Sequence, residues 1–204
     1  MKSTIDMLKE VGMSAADKAG AALSLFFDNK VILKPSFVEV ISIQDIHKNL
    51  HLKSINVGIL IFARLVESLQ GELFFSLDEK CAYRLINLSK MAEIVEAEEK
   101  FGEITEMGMS VLKEAGNIVI GSYLIALGEI IKKAIPQPVP MLLGGPFEEI
   151  FSKLVYYPYI PVKHIQRYLI QTEFDIPKIA VTGTISLSLH FDSVEDMKRH
   201  LQKN

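Results

Sequence analysis

The sequence predicts an α+β fold built from two similar halves, each running from a long helix through several strands to a closing helix. Three observations predict it: an apolar segment of helical length opens each half, β-branched and aromatic runs of strand length follow, and the chain resembles itself when shifted by 104 positions, which lays Leu8 on Leu112. The 204 residues suit one domain, or two small halves that share one core. We expect a single domain over residues 1–204, with repeats at about 4–90 and 104–204.

The first half is predicted to begin with a helix over residues 6–24, DMLKEVGMSAADKAGAALS. The strands that follow are VILKPSFVEVISI, INVGILIFARLV and GELFFSL, which are rich in β-branched and aromatic residues. The segment LDEKCAYRLINL has a helical pattern and closes this half, with Ser76 as the predicted N-cap.

The second half repeats this plan from a helix over residues 110–128, SVLKEAGNIVIGSYLIALG. Its strands are QPVPMLL, YLIQTEFDI and AVTGTISLSLHF, and its closing helix is SVEDMKRHLQ with Ser193 as the predicted N-cap. An insertion, GGPFEEIFSKLVYYPYIPV, is expected to hold a short extra helix after a turn at LLGGP. Short connections favour mostly antiparallel strands in one sheet or two abutting sheets, related by a pseudo-twofold axis and covered by the two long helices.

The two long helices share a Leu-Lys-Glu-x-Gly core. In the shifted alignment Glu10 falls on Glu114 and Gly12 falls on Gly116, but Met13 stands where Asn117 stands. The copies therefore share this core and differ at the position of Asn117.

Composition and charge exclude several classes of protein. With 25 acidic and 22 basic residues and no basic stripe, the surface does not favour nucleic acid or an anionic membrane. The lone Cys81 excludes an internal disulfide framework and is expected to be a buried apolar residue. The N-terminus MKSTIDMLKE has no secretory pattern, and the most apolar run, Ile118 to Gly128, is too short to span a bilayer. We therefore expect a cytoplasmic protein.

A narrow polar stripe runs along the second long helix. On a helical wheel, a wedge about 60° wide holds five residues on an otherwise apolar helix, namely Ser110, Glu114, Asn117, Gly121 and Gly128. Such a wedge must face a cleft, solvent or a partner, because an unpaired buried carboxylate is costly. Glu114 and Asn117 are neighbours at i and i+3, and Gly121 leaves room for a close approach.

The chemistry of this pair suits phosphoryl transfer on a docked partner. A carboxylate attracts a cation, whereas a neutral amide both donates and accepts and can hold a water without repelling an anion. A Glu–Asn pair also occurs on ordinary solvated helices, so the residues alone leave that interpretation open.

At these residues the sequence resembles the CheC/CheX/FliY family of chemotaxis response-regulator phosphatases. The family signature is Asp or Ser, three residues, Glu, two residues, Asn, twenty-two residues and Pro, and four residues here have that spacing: Ser110, Glu114, Asn117 and Pro140. The flanking EAGNI and SYLIAL are also similar, and the resemblance covers essentially the whole chain, most like CheC in its internal repeat. We call these four the signature residues.

The resemblance implies removal of the phosphoryl group from a phosphorylated CheY-type receiver. It implies that Asn117 orients the attacking water, that Glu114 binds the receiver's active-site lysine, and that Ser110 and Pro140 are accessory. Mg2+ would sit in the receiver, so no metal ligands are expected in this chain. His47 and His51, spaced like a helical metal pair, are interpreted as surface residues because no Glu follows His47.

The first copy departs from the signature. Asp6 and Glu10 keep the acidic positions, but Met13 cannot orient a water by hydrogen bonding, so one working site is expected. The resemblance leaves open a non-catalytic adaptor that binds CheY-type receivers or a CheD-type deamidase, for which residues 147–154 are a candidate surface. A duplicated chain can satisfy its own pseudo-twofold, so a monomer is expected.

Overall fold

Five α-helices and seven strands form the part of the chain that the computed structural model describes, residues 3–42, 57–88, 104–155 and 166–202. The helices are α1 (Thr4–Phe27), α2 (Glu79–Leu88), α3 (Glu106–Ile131), α4 (Phe147–Val155) and α5 (Phe191–Gln202). The strands are β1 (Ile32–Leu33), β2 (Phe37–Ser42), β3 (Val57–Leu65), β4 (Gly71–Asp78), β5 (Met141–Pro146), β6 (Gln166–Ile176) and β7 (Val181–His190), with a short 3-10 helix (Pro177–Ile179) between the last two. The predicted α+β class is confirmed, and the predicted polar connection at His47 and His51 lies outside the described residues.

A single antiparallel sheet contains all seven strands. Its order is β1-β6-β7-β4-β3-β5, and β2 pairs with β6 beside β1. The sequence left open one sheet or two, and the pairing of β4 with β7 joins the two halves into one.

The central strand pair has a symmetric register. Gly71 pairs with Leu189, Leu77 pairs with Gly183, and Phe74 faces Ser186, so exchanging β4 for β7 leaves the pairing unchanged. The outer strands follow the same rule, because β2 of the first half pairs with β6 and β5 of the second half pairs with β3. This symmetry supports the predicted internal duplication and the predicted pseudo-twofold axis.

The two long helices end in the same way. Asp28 and Lys132 both take the left-handed conformation, with φ of 50° and 51°. The next residue in each case donates its backbone N–H to a carbonyl five positions earlier, Asn29 to Ser24 at 3.1 Å and Lys133 to Gly128 at 3.0 Å. This is the Schellman arrangement, and its two copies keep the spacing of 104 positions.

The sheet is covered on both faces. α1, α2, α3 and α5 pack on one face, where Ile59, Ile61 and Ala63 of β3 point. α4 lies on the other face, where Phe147 packs with Leu60 of β3. Because side chains alternate along a strand, burial on both faces explains why β3 is apolar at nearly every position.

The apolar composition of α3 has the same origin. By length and composition α3 would be able to cross a membrane, but 56% of its most apolar window is buried inside the protein. The residues that make it apolar are those that pack on α1 and on the sheet.

Two glycines let the long helices lie close to the sheet. A Cβ atom at Gly116 would lie 2.6 Å from Cδ1 and Cγ2 of Ile61 in β3. The counterpart Gly12 has the same relation to Ile170 in β6, where an added Cβ would overlap Cγ2. The Gly of the shared Leu-Lys-Glu-x-Gly core is thus a packing requirement.

Three local predictions were wrong. Ser76 lies inside β4, where its hydroxyl shares a hydrogen bond with that of Thr184, and the side chain of Asp78 accepts from the backbone of Cys81 at the start of α2. Ser193 lies in the first turn of α5 and accepts from the backbone of Gln70 at 2.8 Å. The segment LLGGP is part of strand β5 and leads directly into α4.

Gly116→Ala and Gly12→Ala are each expected to lower the free energy of unfolding by about 1–3 kcal/mol, because the added methyl overpacks a closed helix–sheet contact. Urea unfolding followed by circular dichroism measures the change. Unfolding free energies equal to that of the wild type would contradict the close approach.

Candidate functional site

The exposed face of α3 borders a groove of about 550 Å³. Its opposite wall is formed by residues 137–140 of the segment 135–140, which we call the proline strap because Pro136, Pro138 and Pro140 alternate along it. The lining residues are Ile61, Ser110, Lys113, Glu114, Asn117, Gln137, Pro138, Val139 and Pro140. The structure therefore brings all four signature residues to one surface feature.

The packing of α3 on the sheet forms the floor of this groove. Ile61, which is fully buried, closes the floor directly beneath Gly116. Glu114 and Asn117 lie on either side of that glycine and are exposed. Ser110 is one turn earlier and donates its hydroxyl to the carbonyl of Glu106 at 2.9 Å, so its proton is used within the helix.

The carboxamide of Asn117 contacts the proline strap. Gln137 Nε2 donates to Asn117 Oδ1 at 2.8 Å and also lies 3.3 Å from the backbone oxygen of Asn117. The end of the same side chain covers Gly121, where an added Cβ would lie 2.8 Å from Gln137 Oε1. The room predicted at Gly121 is thus filled by the chain's own Gln137, and Gly121 is buried.

The beginning of the strap is tied to the turn between β3 and β4. Ser68 Oγ donates to the carbonyl of Ala134 at 2.7 Å, and Lys133 Nζ donates to the carbonyl of Ser68 at 3.3 Å. Together with the Schellman end of α3, these contacts direct the strap back across the helix.

Two polar residues of the groove, Lys113 and Gln137, were not predicted from the sequence. Lys113 lies outside the polar wedge, but its long side chain reaches the groove. The sequence feature that could have predicted Lys113 is its position beside Glu114 in the shared Leu-Lys-Glu core. The helical periodicity gave no indication that Gln137 lies near Asn117, because the turn that follows α3 brings the two residues together.

The first copy of the site has different surroundings. Asp6 accepts a hydrogen bond from Ser3 Oγ at 2.6 Å as part of the N-terminal cap of α1, and Glu10 is exposed. Met13 is half-buried, and its sulfur lies 3.9 Å from Ser36 Oγ. The position of Asn117 is thus taken by a side chain that faces a serine immediately before β2.

Cys81 is buried, as predicted, and lies far along the chain from the groove residues. It is 3% exposed, and Sγ accepts from the backbone N–H of Thr182 at 3.3 Å. Burial is the main cause that raises the pKa of the Cys81 thiol, so the thiolate is disfavoured. Within the described ranges, no three His, Cys, Asp or Glu side chains gather as a metal ligand set.

A comparison with curated proteins gives one relative by sequence. The CheY-P phosphatase CheC of Bacillus subtilis (strain 168) is 28% identical over 149 residues, which are 73% of this chain and 70% of that protein. No protein-family model matches the chain.

Solved structures share the fold. Thermotoga maritima FliY has a TM-score of 0.74 at 19% identity and covers 100% of this chain and 98% of its own. FliM in the FliG–FliM complex from H. pylori has a TM-score of 0.62 at 10% identity, over 97% and 98% of the two chains. The CheX–CheY–BeF3–Mg2+ complex from Borrelia burgdorferi has a TM-score of 0.54 at 16% identity, over 89% and 96%.

Fold and groove together describe an α+β protein with helices on both faces of one antiparallel sheet, a fold shared with the FliY and FliG–FliM structures, and with a glutamate–asparagine face on its second long helix. In sequence the chain is similar to CheC. The comparisons thus relate the chain to CheC by sequence, and to FliY and to a CheX–CheY complex by fold.

Cys81 is expected to react far more slowly than a free thiol with a disulfide reagent at pH 8, because it is buried and its pKa is raised. Absorbance of the released thiolate measures the rate in native protein and in urea. Rapid labelling of the native protein would contradict the burial.

Proposed function

We propose that this protein is a phosphatase that accelerates loss of the phosphoryl group from the aspartyl phosphate of a CheY-type receiver in the cytoplasm. The observation that carries the proposal is the groove in which the four signature residues implied by the family resemblance, Ser110, Glu114, Asn117 and Pro140, come together on an exposed surface. The sequence similarity to a CheY-P phosphatase supports the same conclusion.

In the proposed reaction, Asn117 holds a water in line with the phosphorus atom of the docked receiver. The water oxygen attacks phosphorus, the bond from phosphorus to the aspartyl oxygen breaks, and the carboxylate leaves with its electron pair while the water's proton passes to phosphate or solvent. Such catalysis consists mostly of positioning and electrostatics. Asn117 is exposed on a rigid helix, which lets it reach a partner's surface.

Glu114 and Asn117 differ in charge, and we propose different roles for them. Glu114 is an exposed carboxylate that is proposed to bind a cationic side chain of the receiver, its active-site lysine, and so fix the docking register. Asn117 is neutral, and a negative charge at that point would repel both the phosphoryl group and a developing hydroxide. Mg2+ is proposed to belong to the receiver, whose own residues would hold it.

The accessory residues shape the groove. Pro140 ends the strap immediately before β5, where its fixed φ directs the chain into the strand. Ser110 borders the groove one turn before Glu114, with its hydroxyl bound to the helix backbone.

Asn117→Ala is expected to lower the stimulated decay rate of the phosphorylated receiver by about 10² to 10³, because an oriented hydrogen-bonding group is lost. The assay follows receiver phosphate in Mg2+ with candidate receivers from the same organism. Equal decay rates with the wild type and with Asn117→Ala would contradict the mechanism.

Glu114→Ala is expected to raise the receiver concentration needed for half-maximal rate and to lower the maximal rate as well, since docking and register are lost together. Met13→Ala is the matched control on the first copy and is expected to leave both parameters unchanged. A loss in the control as large as that at Glu114 would show that the first copy works too.

A non-catalytic adaptor is the second candidate. The likeness to FliM in a FliG–FliM complex favours it, because that protein of the same fold is seen bound to another protein. The proposed interaction of a CheD-type deamidase with residues 147–154 belongs to this candidate. Binding of a phosphorylated receiver without any acceleration of its decay would support the adaptor over the phosphatase.

A further inference from the structure

We propose that Gln137 is a positioning residue that holds the carboxamide of Asn117 in one orientation, with Nδ2 toward the open groove and Oδ1 toward the proline strap. This inference rests on the proposed function, since it says how Asn117 would present itself to the attacking water.

The orientation follows from hydrogen-bonding capacity. A backbone carbonyl can only accept, so the Gln137 atom 3.3 Å from the backbone oxygen of Asn117 must be the donor Nε2. The same nitrogen lies 2.8 Å from the side-chain oxygen of Asn117, which fixes that oxygen as the acceptor. Nδ2 is bonded to the same carbon as Oδ1, at about 120° from it, so with Oδ1 turned toward Gln137 we place Nδ2 toward the open groove.

This choice matters for the chemistry. An amide at a helix surface has two orientations that differ only by a flip, and Gln137 selects one of them. A water that accepts from Nδ2–H uses one lone pair for that bond and keeps the other for phosphorus. Donation by Gln137 to Oδ1 also polarises the amide, which strengthens Nδ2–H as a donor.

The strap is built to hold Gln137 in place. Pro136 has a fixed φ, and Pro138 restricts the residue before it to extended backbone, so Gln137 lies between two conformational constraints. Its side chain then fits over Gly121, where a Cβ atom would displace it.

The first half of the chain lacks both members of the pair. The long helices end at positions 104 apart, and β2 and β5 also begin at positions 104 apart, so Leu33 stands where Gln137 stands and Met13 where Asn117 stands. Leu33 belongs to β1 and pairs with Phe174 of β6, so that segment is part of the sheet edge. Where the asparagine is absent, its amide partner is absent as well.

The test is a double-mutant cycle with Gln137→Met and Asn117→Ala in the receiver decay assay. Methionine keeps the length of glutamine without its N–H donor and without a charge. Gln137→Met is expected to lower the maximal rate between about tenfold and 10²-fold. The receiver concentration for half-maximal rate should stay unchanged. In the Asn117→Ala background, the same substitution is expected to have no further effect.

Each other outcome has a distinct meaning. If Asn117→Ala leaves the rate unchanged, the proposed function fails. If Asn117→Ala lowers the rate and Gln137→Met does not, the positioning role fails and the function stands. An equal loss from Gln137→Met in both backgrounds, or a loss confined to the half-maximal concentration, would show direct contact with the receiver and overturn the inference.

Gly121→Ala provides a second perturbation of the same contact. Its methyl would displace the end of Gln137, so the maximal rate is expected to fall as in Gln137→Met. Alanine favours a helix over glycine, so the melting temperature should be equal or higher, which separates this loss from unfolding. Ser122→Ala, next along α3 and outside the groove lining, is the control. A wild-type rate in Gly121→Ala would overturn the inference.

Discussion

The close approach of the long helices to the sheet is the constraint on which the rest of the structure depends. Gly12 and Gly116 carry no side chain, so Ile170 and Ile61 can lie against the helix backbone itself. At that depth α1 and α3 also pack against each other, and they bury nine of 24 and thirteen of 26 residues. The face of α3 that remains outside carries Glu114 and Asn117.

Much of this could be predicted from the sequence, because helix and strand periodicity is a local property. The positions of Glu114 and Asn117 on one helical face follow from 3.6 residues per turn. The apolar runs of β3 and β4 gave the strands, although they did not show that α4 would cover the second face. The N-caps at Ser76 and Ser193 were misplaced because residue preference alone does not show where a strand stops: β4 continues to Asp78, and α5 begins at Phe191.

The rest of the site depends on contacts between distant parts of the chain. Gln137 reaches Asn117 only because α3 ends in a left-handed residue and the next segment is held by Ser68, from a different element. No periodic pattern encodes such a return. Lys113 was missed for a different reason, since a long side chain covers surface beyond the position of its own Cα.

The alternation of prolines along residues 135–140 has a thermodynamic consequence for association. Backbone freedom in this segment is already small in the unfolded chain, so little more is lost when the wall of the groove forms. The conformational entropy of this segment is lost when the protein folds. The affinity of a partner that docks there is therefore not reduced by the cost of ordering the segment. Rapid exchange of successive partners is compatible with such a rigid surface, because neither arrival nor departure has to wait for the segment to rearrange.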